Sequence, residues 1–309
     1  MDFSHKPPTP DVGIDSVELG QRLRAYRMGA GLKAEDIAQS LDISRAAVYL
    51  LEKGDIVKVD TLVRLARLFD VSMASLLGVE MEYYSTASGY FERMRQLEAE
   101  SSHLLANFEP ISFLLTTDNY LQHLRDMLLD AAPAGTTAKT RWVKQVEGII
   151  AVFAARKQDF SARHPGITSL IGMREIERFL RFGLQGRDNL SVAIRKRRSK
   201  AVRDEIDHIV ALMEAAPIGV QVGAVEGSTP GVNFQIFRQA TRSYVGVSPL
   251  RLHEIPEVNK AVATITASTE AVALYENMFA SWWARAHKGH EGAQRIKQLA
   301  SRIHRKSTP

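Results

Sequence analysis

The sequence predicts a multidomain chain: an all-α domain of five helices, a helical connector and a C-terminal α+β domain. Its 309 residues are too many for one small core and favour at least two domains. Short helical patterns separated by glycines and capping residues fill the first quarter of the chain. After Pro217, short β-branched segments bounded by Gly, Pro or Asn predict strands.

The first 80 residues divide into an arm and a helical domain. Residues 1–12 contain three prolines and no periodicity, so we expect a disordered arm. Residues 13–80 hold five helical patterns: "SVELGQRLRAYRMGAG", "KAEDIAQSLD", "SRAAVYLLEKG", "VDTLVRLARLFD" and "SMASLLG". The third pattern begins at the capping residue Ser44 and ends at Gly54, as is typical of a complete short helix.

Residues 81–108 predict a connector and dimerisation helix. Two heptad positions are nearly apolar over almost four heptads, which suits a coiled coil or a pair of helices. These positions hold Tyr83, Tyr90, Leu97 and Leu104, and Ala87, Met94, Ser101 and Phe108. Packing of this seam against the chain's own C-terminal domain is the alternative.

Residues 109–309 predict a mixed α and β domain. Helical patterns lie around residues 118–132, 140–163 and 173–183. Four strands are expected in "IGVQVGAV", "VNFQIFRQ", "RSYVGVS" and "AVATITAS". The segment "STEAVALYENMFASWWARAHKG" predicts a closing helix capped by Ser268.

Composition excludes several classes of protein. The chain contains no cysteine, which rules out disulfides, thiol catalysis and cysteine–zinc sites. No window approaches the ~18 apolar residues of a membrane span, and the polar amino terminus lacks the apolar core of a signal peptide. We therefore expect a cytoplasmic protein that does not associate with membranes.

The charge is distributed unevenly along the chain. The net charge of +5 indicates a polyanionic partner. Residues 12–79 carry nine Lys/Arg and nine Asp/Glu, whereas residues 137–203 carry sixteen and five, and residues 285–306 carry seven and one. The first domain is therefore neutral, and the basic surplus lies in the second half of the chain.

The spacing of the second and third helices points to a specific motif. Their starts are about eleven residues apart, which is helix-turn-helix spacing. The fragments "LGQRLRAYR", "ISRAAVYLLEKG" and "LVRLARLFDVS" then resemble the XRE/Cro-type DNA-binding domain of lambdoid phage repressors, over about 60 of the 309 residues. The resemblance implies a lambda-repressor-like fold for residues 13–80.

The resemblance also implies which residues meet DNA, because the third helix of this family lies in the major groove. These residues are Lys33, Ser44, Arg45, Ala46, Tyr49, Leu50, Lys53 and Lys58. Arg45 is the candidate for base recognition, since a guanidinium can bond bidentately to guanine. Ala46 and Leu50 offer apolar contact only. Arg27 and Glu52 are implied to pair and to hold the third helix, with plain surface charge as the alternative.

Two departures from the family pattern affect DNA binding. The second helix opens with Lys33 and Ala34 where the family has a Thr/Ser cap and a phosphate-binding glutamine, so we expect an uncapped helix. The neutral domain should also bind weakly as a single copy, because non-specific affinity depends on phosphate neutralisation. We therefore expect a homodimer, or a higher homo-oligomer, on a palindromic operator of double-stranded DNA.

The C-terminal domain more loosely resembles sensor domains of bacterial regulators, some of which share the phospholipase-D-like fold. That class of enzyme needs H-x-K-x4-D, and the one H-x-K, at residues 304–306, has no aspartate after it. Other catalytic templates are absent as well. We expect no catalysis, no cofactor and no metal site.

A small-molecule effector is expected in the C-terminal domain, and an anionic compound is one option. The candidate effector-binding residues are Arg238, Ser248, Arg251 and Trp282. The basic run Arg195–Lys200 and the arginines 174, 178 and 181 suit nucleic acid or an anionic effector, with a solvated loop and a solvated helix face as the alternative.

Taken together, these patterns predict a DNA-binding transcriptional regulator whose operator binding responds to an effector. Two alternatives stay open. One is an enzyme that a helix-turn-helix domain recruits or regulates, and the other is an adaptor whose second domain binds a protein.

Overall fold

The computed structural model describes residues 15–55, 58–79, 81–184, 186, 190–227, 232–251 and 262–307. The predicted disordered arm, residues 1–12, lies outside the described residues. Within them, a helical N-terminal region is followed by a region of mixed helix and sheet, as the sequence predicts. The sheet has eight strands and includes segments from both ends of the mixed region.

The N-terminal helices form around a small apolar core. Their bounds are α1 Ser16–Gly29, α2 Ala34–Leu41, α3 Arg45–Glu52, α4 Val59–Phe69 and α5 Met73–Leu77. Leu23, Ile37, Val48 and Leu65 are at most 3% exposed, because the apolar residues of each helix recur at helical spacing and face inward. The left-handed residues Asp42 and Asp70 end α2 and α4.

The sheet has a parallel centre flanked by antiparallel strands. Its strands are β1 Glu82–Tyr84, β2 His103–Asn107, β3 Gly166–Gly172, β4 Val220–Val225, β5 Asn233–Arg238, β6 Ser243–Ser248, β7 Ala263–Thr266 and β8 His287–Lys288. Their order is β1-β7-β6-β5-β2-β3-β4-β8. The β2–β3 and β3–β4 pairs are parallel, and the other pairs are antiparallel.

Helices cover both faces of this sheet unequally. The helices are α6 Ala87–Glu100, α7 Asp118–Asp130, α8 Thr136–Arg163, α9 Met173–Phe182, α10 Val192–Ala215, α11 Thr269–Arg285 and α12 Gly289–Ser307, with a 3-10 turn at Phe113–Leu115. Successive strand residues point to opposite faces: Phe237 belongs to the main core, whereas Phe234 and Ile236 pack with Phe279 of α11. Among the described helices, none has the length and apolarity to cross a bilayer.

The predicted connector helix is wrong as a continuous element. Residues 81–108 form β1, α6 and β2 in succession. On α6, Tyr90, Met94 and Leu97 are at most 1% exposed inside the chain's own core, so this seam is not available to a second copy. The heptad spacing correctly marks the buried face of α6. The same spacing wrongly predicts helix over the residues of β2, because periodicity alone cannot distinguish a short apolar strand from buried helix.

The sequence patterns also miss strands of the sheet and the start of one long helix. The four strands predicted after Pro217 correspond to β4–β7, but β2 and β3 were not expected. The basic run Arg195–Lys200 is part of the long helix α10 rather than a loop. Within that run Arg198 is only 3% exposed and pairs with Asp130 at 2.5 Å.

Candidate nucleic-acid interface

Helix α3 has one buried and one exposed face. It begins after Ser44, whose Oγ accepts a hydrogen bond from the Ala47 N–H at 3.0 Å. Val48 is 3% exposed and anchors the helix to the domain. The opposite face carries the residues that sequence resemblance assigns to DNA: Ser44, Arg45, Ala46, Tyr49 and Leu50 are all exposed. Leu50 is 50% exposed, an arrangement that leaves this face available to a partner.

Close backbone packing at Gly20 sets the position of α3 against α1. A Cβ atom on Gly20 would lie 2.7 Å from Glu52 O, Leu51 O and Gly54 N. These are backbone atoms, which cannot rotate away as a side chain can. Only glycine therefore allows α1 to cross the end of α3 at this distance.

Replacing Gly20 with Ala is expected to destabilise the protein by about 1–3 kcal/mol, because the added methyl group forces α1 and α3 apart. Urea unfolding followed by circular dichroism measures this change. Gly148→Ala is the matched control, since a Cβ there meets nothing within 4 Å. Because Gly148 lies in the middle of α8, this substitution should stabilise the protein by about 0.5–1 kcal/mol. Equal effects of the two substitutions would contradict the packing argument.

A two-pronged ion pair ties the end of α3 to α1. Arg27 Nε donates to Glu52 Oε1 at 2.5 Å, and Arg27 Nη2 donates to Oε2 at 3.1 Å. Arg27 Nη1 also donates to the Leu32 carbonyl at 3.1 Å. Both side chains are largely buried, so this pair is not plain surface charge. It orients the helix and leaves neither group for contact with DNA.

Arg45 is held in place by neighbours that the sequence argument did not include. Its Nη1 lies 2.9 Å from Glu35 Oε1 on α2, and its Nη2 donates to Tyr49 Oη at 3.3 Å. The hydrogen bond to Tyr49 and the charge of Glu35 raise the pKa of Arg45. Glu35 was missed because α2–α3 contacts follow from the crossing of two helices, although it lies two residues after the predicted start of α2.

The three lysines predicted to meet the DNA backbone are exposed at helix ends. Lys33 precedes α2, Lys53 follows α3 and Lys58 precedes α4. The expectation that α2 is uncapped is wrong in part. The Lys33 backbone N–H donates to Asp36 Oδ2 at 2.6 Å, which is half of a capping box.

The predicted effector residues do not form one site. In the β5–β6 hairpin Arg238 pairs with Ser243, whereas Ser248 pairs with Asn233 at the other end, about 17 Å away at ~3.4 Å per residue. Arg238 is bonded instead to Glu276. Trp282 lies on α11, like Glu276, and packs in the apolar cluster between α11 and the sheet.

Ser248 ends β6, and Arg251 follows it three positions later. The Ser248 Oγ accepts a hydrogen bond from the Leu250 N–H at 3.1 Å, and Arg251 lies 2.9 Å from Glu109. Leu250 and Glu109 line a pocket beyond the carboxyl end of β2. Ligands of open α/β sheets commonly bind outside the carboxyl ends of strands.

The pocket is lined by a buried arginine that the sequence argument missed. Arg156 of α8 is 4% exposed, and its Nε and Nη2 donate to Glu98 at 2.9 and 2.6 Å. Its guanidinium carbon lies 5.3 to 5.7 Å from the ring centres of Phe91, Phe113 and Phe153. Its Nη1 has no hydrogen bond to any residue that the structure describes. A charged residue on the apolar face of the predicted helix 140–163 was the available signal.

Comparisons with known proteins support the N-terminal assignment. A family model described as a helix-turn-helix domain matches residues 18–77. No curated protein sequence matches the chain. Among solved structures, TrmBL2, an archaeal chromatin protein with a novel mode of DNA binding, is 9% identical with a TM-score of 0.33. The alignment covers 68% of this chain and 53% of that one. The chain thus spans about half the length of that protein, and the likeness is too weak to carry an argument.

Proposed function

We propose that this protein is a sequence-specific, XRE/Cro-type transcriptional regulator with a lambda-repressor-like DNA-binding domain. The observation that carries the proposal is the exposed face of α3, with Arg45 at its start. The buried face of the same helix is held by Val48, by the close contact at Gly20 and by the Arg27–Glu52 pair. A rigidly held helix with one free polar and apolar face suits insertion into a major groove.

In this proposal the exposed residues divide into two kinds of contact. Arg45 exchanges Glu35 for a guanine and bonds bidentately to O6 and N7. Ala46 and Leu50 meet thymine methyl groups, while Lys33 and the lysines at the ends of α3 and α4 bind phosphates. Two copies of the chain place their α3 helices about one turn of DNA apart on a palindromic operator. The proposal assigns no catalytic role to the chain.

Selection of bound sequences from a random duplex library tests this function with the full-length protein. The expected result is a palindrome whose half-sites are separated by about 10 base pairs, centre to centre. Retention of DNA without any enriched sequence would contradict sequence-specific binding. Sedimentation of the protein on the selected duplex then gives the number of chains bound.

The proposal extends to an effector in the pocket beside Arg156. Nη1 of Arg156 offers a donor to a carboxylate or another acceptor, and the three phenylalanine rings suit an apolar body. Helix α6 joins this pocket to the DNA-binding region, because it carries Phe91 and Glu98 and also packs against α1. A ligand that favours one position of α6 would change operator affinity by its differential affinity for the two states.

A thermal-shift screen with aromatic and aliphatic carboxylates, and with their uncharged amides, tests the pocket. A carboxylate that binds should stabilise the chain by about 2.7 kcal/mol at 100 times its Kd and change operator affinity. Phe108→Trp, at the half-buried wall of the pocket, should abolish the shift. Phe182→Trp, 58% exposed on α9, is the control. A shift that survives Phe108→Trp, or amides that equal the carboxylates, would contradict this pocket.

A further inference from the structure

Two cations near the start of α8, Arg141 and Lys144, have no charge partner among the residues that the structure describes. Arg141 and Lys144 are exposed, and neither side chain bonds to any residue in the described part of the chain. Farther along α8, by contrast, Arg156 pairs with Glu98, and Lys157 donates to the carbonyls of Thr116 and Thr117. The first turns of α8 therefore hold positive charge that is available to an outside partner.

These cations lie beside the helix-turn-helix domain. Arg141 and Lys144 line a groove whose other wall is the end of α1 and the α1–α2 loop, residues 28–32. The loop leads directly into Lys33 at the start of α2, where the proposed function places a phosphate contact. The groove thus continues the proposed DNA surface onto a helix outside the helix-turn-helix domain.

Tight packing fixes α8 relative to α1 and α2. Helix α6 packs against both α1 and α8. At its contact with α1, a Cβ on Gly29 would lie 2.8 Å from Thr86 Oγ1, and one on Gly89 would lie 3.1 Å from Ala25 O. Through these contacts α6 places the start of α8, with Arg141 and Lys144, beside α1.

The uneven charge distribution of the chain supports a role for these cations in DNA binding. The helix-turn-helix region, residues 12–79, is neutral, and the basic surplus lies in residues 137–203. Non-specific DNA affinity comes almost entirely from neutralised phosphates. A neutral helix-turn-helix region therefore gains affinity from cations on a neighbouring helix. Arg45, the arginine on α3, is itself partly neutralised by Glu35.

We propose that Arg141 and Lys144 bind phosphates of the DNA backbone flanking each half-site, as a contact added by the C-terminal region. This inference rests on the proposed function. An acidic segment of a protein partner is the other possible occupant, and continuity with Lys33 favours DNA. The contact carries no sequence information, and it increases affinity for operator and random DNA alike.

Salt titrations of operator affinity test the contact with the full chain. Arg141→Ala and Lys144→Ala should each weaken binding roughly tenfold at about 0.1 M salt and reduce the slope of log K against log [salt] by about 0.9. The conservative exchanges Arg141→Lys and Lys144→Arg should keep most of the slope. Arg163→Ala, exposed at the far end of the same helix α8, is the control and should leave the slope unchanged.

The possible outcomes separate this contact from the proposed function. Equal losses on operator and random duplexes, with unchanged melting temperatures, support a phosphate contact. An unchanged slope in the Arg141→Ala/Lys144→Ala variant, while Arg45→Ala still alters sequence preference, overturns the contact and leaves the regulator intact. An unchanged slope together with lost capture of an acidic protein also overturns it. A wild-type chain that selects no sequence contradicts the proposed function instead.

Discussion

Replacing Arg93 with Met is expected to lower the free energy of unfolding by about 3–5 kcal/mol, because it leaves buried carboxylates without their partner. Arg93 is fully buried. Its Nε and Nη2 each donate to Glu82 at 3.0 Å, and its Nη1 donates to Gln21 at 2.8 Å. Glu18 lies 3.9 Å from the same guanidinium.

The cluster around Arg93 joins the helix-turn-helix domain to the sheet. Glu18 and Arg22 belong to α1, Glu82 to β1, Arg93 to α6 and Tyr244 to β6. Tyr244 donates a hydrogen bond to Glu18, across 226 residues of sequence. Burial alone would raise the pKa of Glu18, but the hydrogen bonds from Tyr244 and from the arginine at position 242 hold it below its ordinary value. Glu18 is therefore a carboxylate at neutral pH, and Arg93 shares its compensation with Arg22, whose Nη1 lies 3.0 Å from Glu18 Oε2.

Urea unfolding of three variants separates this account from simple loss of packing. Arg93→Met should show the full loss, whereas Arg93→Met combined with Glu82→Leu should recover much of it, since removing both partners leaves fewer unpaired charges. Arg24→Met is the control: Arg24 is 45% exposed beside Glu92, so its loss should cost less than about 1 kcal/mol. A double variant less stable than Arg93→Met would contradict the electrostatic explanation.

Replacing Arg45 with Ala is expected to cost about 1–3 kcal/mol of binding energy on the operator and to relax specificity at one base pair. The reason is the loss of bidentate recognition of guanine, which no other residue on the exposed face of α3 can supply. Fluorescence anisotropy with the operator, single-base variants and random duplex measures both effects. Arg45→Lys should restore affinity for random DNA without restoring the base preference, because an ammonium lacks the planar fork.

Glu35→Gln provides the matched variant for this prediction. Glu35 Oε1 on α2 lies 2.9 Å from Arg45 Nη1 on α3. Neutralising Glu35 should therefore free Arg45 and strengthen binding to operator and random DNA. Lys53→Ala should weaken binding to all sequences alike. Equal losses on operator and random DNA in Arg45→Ala would mean that Arg45 contacts only a phosphate.

Local sequence signals were enough to predict α3, its buried face and the strands β4 to β7. The cap at Ser44 and the glycine stop at Gly54 delimit α3, and apolar spacing marks Val48 as buried. The strands β4 to β7 follow from β-branched segments between turn residues. In each case neighbours within a few positions determine the conformation, so a single sequence is enough to predict it.

The sequence by itself determined the helix-turn-helix pattern and the exposed face of α3, because caps, glycine stops and helical periodicity are local. The tertiary structure alone decided the pairing of β2 with β3, the cluster around Arg93 and the pocket at Arg156. Arg156 meets Glu98 from 58 residues away, and Glu18 meets Tyr244 from 226 residues away. A buried charge is stable only where an opposite charge arrives to compensate it, and that meeting depends on how distant segments pack.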